Sequence, residues 1–276
     1  MKQILTILLA LQAIAAAAQN TNANDSTALR LECPHLSSDT LYSIYRELST
    51  DDYGITYAYE WDLSKRANRW VCYQLHSGNR DEITYRYNRW YEDDDINATY
   101  RITMEDYYDI NMDKGHLCPS QDRLCSREQN KQTFLLGTNS HPEYHRHNIT
   151  IWATVERWIK NKLNYASFRD TLYVVKAATI DDGHIAGYTR RTKLIIPQYW
   201  YTALLCLKDS AYKAIGVLTV HDNTRLTDAN VYDYCVSVDS LETLTGLDFF
   251  CNLPDSIEDA VEAACTPEDW KLEASE

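Results

Sequence analysis

The chain has 276 residues, 45% of them hydrophobic, and a formal net charge of −13. This length and apolar share fit one sizeable packed domain and exclude a disordered or fibrous chain. The acidic balance excludes a generic polyanion-coating protein, because phosphate contacts require Lys and Arg. The charge is uneven, however: residues 113–162 carry eight Lys/Arg against five acids, and four histidines. A local basic island on an acidic protein still attracts phosphate.

Residues 1–18 set one Lys before a short apolar run that ends in small residues, "MKQILTILLALQAIAAAA". This is the pattern of an export signal, too short and alanine-ended for a membrane anchor. The expectation is a secreted or periplasmic protein. All eight cysteines follow this segment. Disulfides are therefore expected, with Cys118 and Cys125 spaced to close a small loop, although pairing cannot be read from spacing. Residues 19–45 are polar and aperiodic and read as a flexible leader.

From residue 56, "TYAYEWDLS" and "RWVCYQLH" alternate as strands do, and "YEDDDINATY" reads as an acidic loop. "TFLLGTNS" (133–140) reads as a short buried strand. "NITIWATVERWIKNKL" repeats apolar residues at Ile151, Trp152, Val155, Trp158, Ile159 and Leu163, the spacing of a helix with one buried face. "TLYVVKAATI", "TKLIIP" and "AYKAIGVLTV" are further strands. Ser256 and Asp259 in "PDSIEDAVEAAC" form a capping-box pattern that opens a last helix. Strands and helices mix without a regular alternation, so the fold class is α+β, with one domain over residues 46–265 and a tail at 266–276.

The chemistry concentrates in "NMDKGHLCPSQDR" (111–123), "GTNSHPEYHRHN" (137–148) and the helix behind them. No H-E-x-x-H, G-x-S-x-G, P-loop or paired C-x-x-C pattern is present. A neutral imidazole takes a proton near pH 7. An Asn carbonyl and a nearby carboxylate suit a hard divalent cation that keeps most of its waters. Asn148 and Glu156 lie eight apart, close in angle on an α-helix but roughly 12 Å apart along it, so they share a cation only through water or at a helix start.

"MDKGHLCPSQDR" resembles the D-R-G-H-x-x-P signature of the DNA/RNA non-specific endonucleases, the ββα-metal nucleases of Serratia nuclease and endonuclease G type. "TNSHPEYHRHNITIWATVE" resembles the family's T-N-x-x-P-[QE] and N-x-x-x-W-x-x-x-E, and the likeness spans about residues 57–264. It implies a ββα-metal fold of mixed sheets, with the site between a strand-loop and a helix. It also implies a Mg²⁺-dependent hydrolysis of phosphodiesters in DNA and RNA, Mn²⁺ being an acceptable substitute.

Carried over position by position, His116 would be the general base and Asn148 the metal ligand. Glu156 would hold a water of the metal's shell, and Asn139 would support the site near His116. Asp113 would brace the strand and loop that present the histidine. Arg86, with Arg89 as the alternative, would meet the phosphate. Lys114 stands where the family has Arg, which keeps the charge but loses the two-pronged donor. Two other functions stay open: a catalytically weakened nucleic-acid binder of the same fold, and a secreted zinc module built on Cys118, Cys125, His141 and His145. His141, His145 and His147 otherwise read as a solvated or phosphate-facing loop, and His184 in "DDGHIAG" as a turn residue. Oligomeric state is open, and a homodimer is compatible with the sequence.

Overall fold

The computed structural model describes residues 19–108, 111–224, 226 and 228–274, so the proposed export signal at 1–18 lies outside the described residues. Eleven strands are seen among them. Seven form one antiparallel sheet in the order β1 (Ser43–Thr50), β2 (Gly54–Asp62), β3 (Ala67–His76), β6 (Thr171–Ala178), β9 (Tyr199–Lys208), β10 (Ala211–Val220) and β11 (Cys235–Val236). Two small pairs stand apart: β4 (Asp113–His116) with β5 (Ser140–Glu143), and β7 (Ile185–Tyr188) with β8 (Ile195–Pro197).

Both faces of the large sheet are covered, which is why its central strands alternate apolar with apolar. Tyr57, Tyr59, Val71, Tyr73, Leu172, Val174, Trp200 and Leu204 point into one core, and Ala58, Trp70, Cys72, Val175, Tyr201 and Ala203 into the other. The first core is closed by the helix expected from the apolar spacing, here α2 (145–163), after the short α1 (Arg127–Gln132). All six of its periodic apolar side chains are buried, each contributing on the order of 1.5–3 kcal/mol. The second core is closed by α3 (Val238–Thr245) and α4 (Asp255–Glu262) through Val238, Leu241 and Val261.

Three expectations are corrected. The segment at 19–45 is not a loose leader. Asn20 Nδ2 donates to the Cys251 and Leu253 carbonyls at 2.8 and 2.5 Å, the buried Asn24 donates to Ala28 and Pro34 at 3.1 Å, and β1 begins at Ser43. Polar side chains that bond to backbone leave no apolar period to read. At the other end Trp270 is fully buried, its carbonyl accepting from Trp158 Nε1 at 2.9 Å, so residues 266–274 pack on the domain. Residues 133–140 are buried at Phe134, Leu135 and Leu136 but run as turns, and the strand begins only at Ser140.

The expected disulfides are also not formed. All eight cysteines are free thiols; Cys33 and Cys72 approach to 3.5 Å between sulfurs, and Cys125 Sγ donates to Gln129 Oε1 at 3.5 Å. Burial pushes the Cys118 thiol up to about 12, as it does for an inert core thiol.

Candidate active site

The strand that carries His116 is held by its partner in a fixed register: Asp113 opposite Glu143, Lys114 opposite Pro142, Gly115 opposite His141, and His116 opposite Ser140. Gly115 is required by close packing. A Cβ there would lie 2.1 Å from Glu143 Oε2 and 2.5 Å from the Trp200 ring. Beyond the strand, Asn139 pins the chain: its Oδ1 accepts from Cys118 N–H at 2.7 Å, and its Nδ2 donates to the Cys118 and Thr133 carbonyls at 2.9 and 2.6 Å. Asn139 is wholly buried and does not line the cleft; it braces the loop behind His116.

Helix α2 supplies the opposite wall. It is α-helical over His145–His147, widens into a π-helical turn at Asn148–Trp152, returns to α at Ala153–Trp158 and ends in a second wide turn at Ile159–Leu163. Such wide turns recur at functional sites because they change which residues share a face. Asn148 and Glu156 both line one open cleft of about 610 Å³, with His116, Asp113, Lys114 and Arg86. Asp113 Oδ2 accepts from Asn148 Nδ2 at 2.8 Å and meets His145 Nδ1 at 2.9 Å, so this carboxylate ties β4 to the helix.

The His116 ring packs on Trp90, centroids 4.4 Å apart, and against the edge of Phe134 at 4.9 Å. Its Nε2 is buried with no hydrogen-bond partner. Burial first, then the charges of Arg86 and Lys176, lower its pKa to about 3, so the ring is neutral at pH 7. Arg86 sits 5.4 Å from the Phe134 ring and lines the cleft, whereas Arg89 does not. Lys114 Nζ lies 4.8 Å over the Tyr107 ring, and burial lowers its pKa.

A sequence model of the DNA/RNA non-specific endonucleases matches residues 37–256. The chain belongs to that family. A nuclease of Nostoc is 29% identical over 79% of this chain and 80% of its own length. A mitochondrial nuclease EXOG of Xenopus laevis is 26% identical over 72% of this chain and 58% of its own. A crystal structure of the EndoG/EndoGI complex aligns with a TM-score of 0.65 at 19% identity, covering 76% of this chain and 88% of that one. The fold is therefore that of the ββα-metal nucleases, and the chain is a metal-dependent endonuclease acting on nucleic acid.

The family depends on a divalent metal, and the oxygen donors here fit a hard cation. Because Asn148 commits its Nδ2 to Asp113, its carbonyl oxygen is the atom left to face a cation. Glu156 keeps its side chain 22% exposed on the same cleft. Burial raises its carboxyl above the ordinary value, and Lys176 acts in the opposite direction.

Zinc does not fit. Among the described residues, the group of three acidic, His or Cys side chains with converging ligand atoms is Asp239, Glu242 and Glu262, far in sequence from Cys118, Cys125, His141 and His145. His141 and His147 are not a solvated loop either: both are buried, His141 Nε2 on the Asn68 carbonyl and His147 between Glu143 and Thr219. Burial raises Glu143 well above the ordinary carboxyl value and lowers His147 to about 3, so it disfavours the charged form of both partners in their 2.6 Å contact. Of these three histidines only His145 is exposed, and His184 sits in a short turn.

Three residues at the site received no role from the sequence. Trp90, which covers His116, and Arg157, one residue beyond Glu156, both line the cleft. Lys176 lies beneath it, fully buried on β6. Trp90 leaves a trace as the aromatic four residues after Arg86 in "RYNRWYED", and Lys176 as a charge interrupting "LYVVKAA".

Proposed function

We propose that the chain is an exported, Mg²⁺-dependent, sugar-non-specific endonuclease in which His116 is the general base. The observation that carries this reading is a single cleft lined by a neutral imidazole whose buried Nε2 has no hydrogen-bond partner, an Asn anchored through its amide nitrogen and three cationic side chains, Arg86, Lys114 and Arg157.

His116 takes the proton from the attacking water, which requires the neutral ring that its burial favours. Arg86 and Lys114 meet the phosphate oxygens, and Lys114 does so as a point charge rather than a fork. Asn148 would offer its carbonyl oxygen to Mg²⁺ or Mn²⁺, and Glu156 would hold a water of the cation's shell. A cation held there supplies positive charge against the phosphate and the leaving oxygen. Contacts to phosphate rather than to bases let one site cut both DNA and RNA. The short apolar, alanine-ended residues 1–18 support export.

The test is digestion of circular plasmid DNA and of a structured RNA by the purified protein. Both are cut internally with Mg²⁺ or Mn²⁺ and both survive in EDTA. Cleavage of one polymer only removes sugar non-specificity, and cleavage in EDTA removes the metal.

A further inference from the structure

Strand β6 places Leu172, Val174 and Ala178 in the core beneath α2, and Lys176 falls in the same phase. It is a central position with regular pairing on both sides, opposite Val71 and Thr202, where a packed apolar side chain is expected. Lys176 is instead fully buried, and its Nζ makes no hydrogen bond. An ammonium in that state is costly and persists only where something compensates it. What stands around it is the α2 face of the cleft: Glu156 Oε1 at 3.8 Å and the Trp152 ring at 5.2 Å.

We propose that Lys176 is a positioning residue for this site, an internal cation that holds the Glu156 carboxylate in the orientation that serves a metal at Asn148. The inference rests on the active-site reading above. Asn148, Trp152 and Glu156 follow one another at four-residue steps along α2, and Lys176 lies under the last two. Trp152 also reaches over to the His116 carbonyl, Nε1 to O at 3.4 Å, so one ammonium underlies contacts to both walls of the cleft. Arg86 and Arg157 also act on Glu156 electrostatically, but both are exposed at the cleft, where solvent screens them. Lys176 cannot leave. It provides a charge that stays fixed while substrate and product exchange.

A double-mutant cycle separates positioning from mere proximity. The proteins are the unmutated chain, Lys176→Met, Lys176→Gln, Glu156→Gln and the two double variants. Mn²⁺ binding without nucleic acid is measured by calorimetry, and kcat and KM on plasmid DNA alongside it. If Lys176 were only a nearby positive charge, removing it would strengthen cation binding. Positioning predicts the opposite: binding about 10-fold weaker and kcat about 10- to 100-fold lower, the usual cost of losing a residue that orients a ligand, with KM little changed.

In the Glu156→Gln background the Lys176 substitutions should add no further loss. Equal or tighter Mn²⁺ binding with undiminished kcat overturns the proposal, as do losses at the two positions that multiply. Should Lys176→Met fail to fold, Lys176→Gln, which keeps a polar head, decides. An unmutated chain that neither binds Mn²⁺ nor cuts DNA would instead defeat the active-site reading itself.

Discussion

Asn148 donates its amide to Asp113 across 2.8 Å, and this bond joins the strand that presents His116 to the helix that presents Glu156. A carboxylate in the motif that carries His116 thereby fixes which end of the Asn amide faces the cleft. The motif's Asp thus holds a helix side chain as well as its own strand.

Asp113→Ala should therefore act through Asn148. Without its acceptor the amide can turn its NH₂ group toward the cation, and the Mg²⁺ concentration needed for half-maximal rate should rise about 10- to 100-fold. A metal titration of the cleavage rate checks this. An unchanged metal requirement would show that Asn148 holds its orientation unaided.

Gly115→Ala should destabilise the fold rather than tune activity. Its Cβ meets the buried Glu143 carboxylate and the buried Trp200 ring, neither with room to retreat. Overpacking of this kind costs about 1–3 kcal/mol. Urea unfolding of the variant measures it directly.

Acid should weaken the fold through histidines held neutral. His221 accepts from Tyr144 N–H on Nε2 at 2.8 Å and donates from Nδ1 to the Pro197 carbonyl at 2.7 Å, an arrangement only the neutral ring satisfies. Burial lowers its pKa to about 4, against about 6.5 when unfolded. Between those values the unfolded chain binds the extra proton, so stability falls as pH falls, by about 1.4 kcal/mol per unit per histidine. Glu262 works the other way. Burial and its acidic neighbours raise it to about 10, so the folded state holds the proton and stability falls as pH rises from the unfolded carboxyl value. His221→Gln should flatten the unfolding free energy between pH 6.5 and 4, and Glu262→Gln should gain on the unmutated chain as pH rises from 5 to 9. Parallel curves for either variant would contradict the assignment.

Salt should slow cleavage steeply for so acidic a protein. Three cations line the cleft, Arg86, Lys114 and Arg157. If each meets a phosphate, log–log plots of apparent DNA affinity against salt should have a slope of about −2.7. A flat plot would mean that the substrate is held by contacts other than these.

The ordered motif around His116, Asn148 and Glu156 was legible because the family signature keeps those residues at set spacings, and the fold brings all three to one cleft. The buried face of α2 was equally legible, since six apolar residues keep the helical period. The π-turn at Asn148–Trp152 was not, because one widened turn leaves that pattern intact while shifting the polar face. The segment at 19–45 misled for a different reason. Its asparagines secure backbone carbonyls rather than apolar contacts, and that signal resembles disorder. An even cysteine count suggested bridges, yet Cys118 and Cys125 fill separate buried positions as thiols. His141 and His147 looked solvated from their polar neighbours, and only tertiary partners bury them.

The most direct test of the central claim is the single-turnover cleavage rate of His116→Ala against the unmutated protein, on the same plasmid at saturating Mg²⁺. Loss of a positioned base lowers the rate about 10²- to 10⁴-fold, with Mn²⁺ binding by calorimetry unchanged. A variant that cleaves within a few-fold of the unmutated rate would show that the proton goes elsewhere, and that His116 is only a packed ring between Trp90 and Phe134.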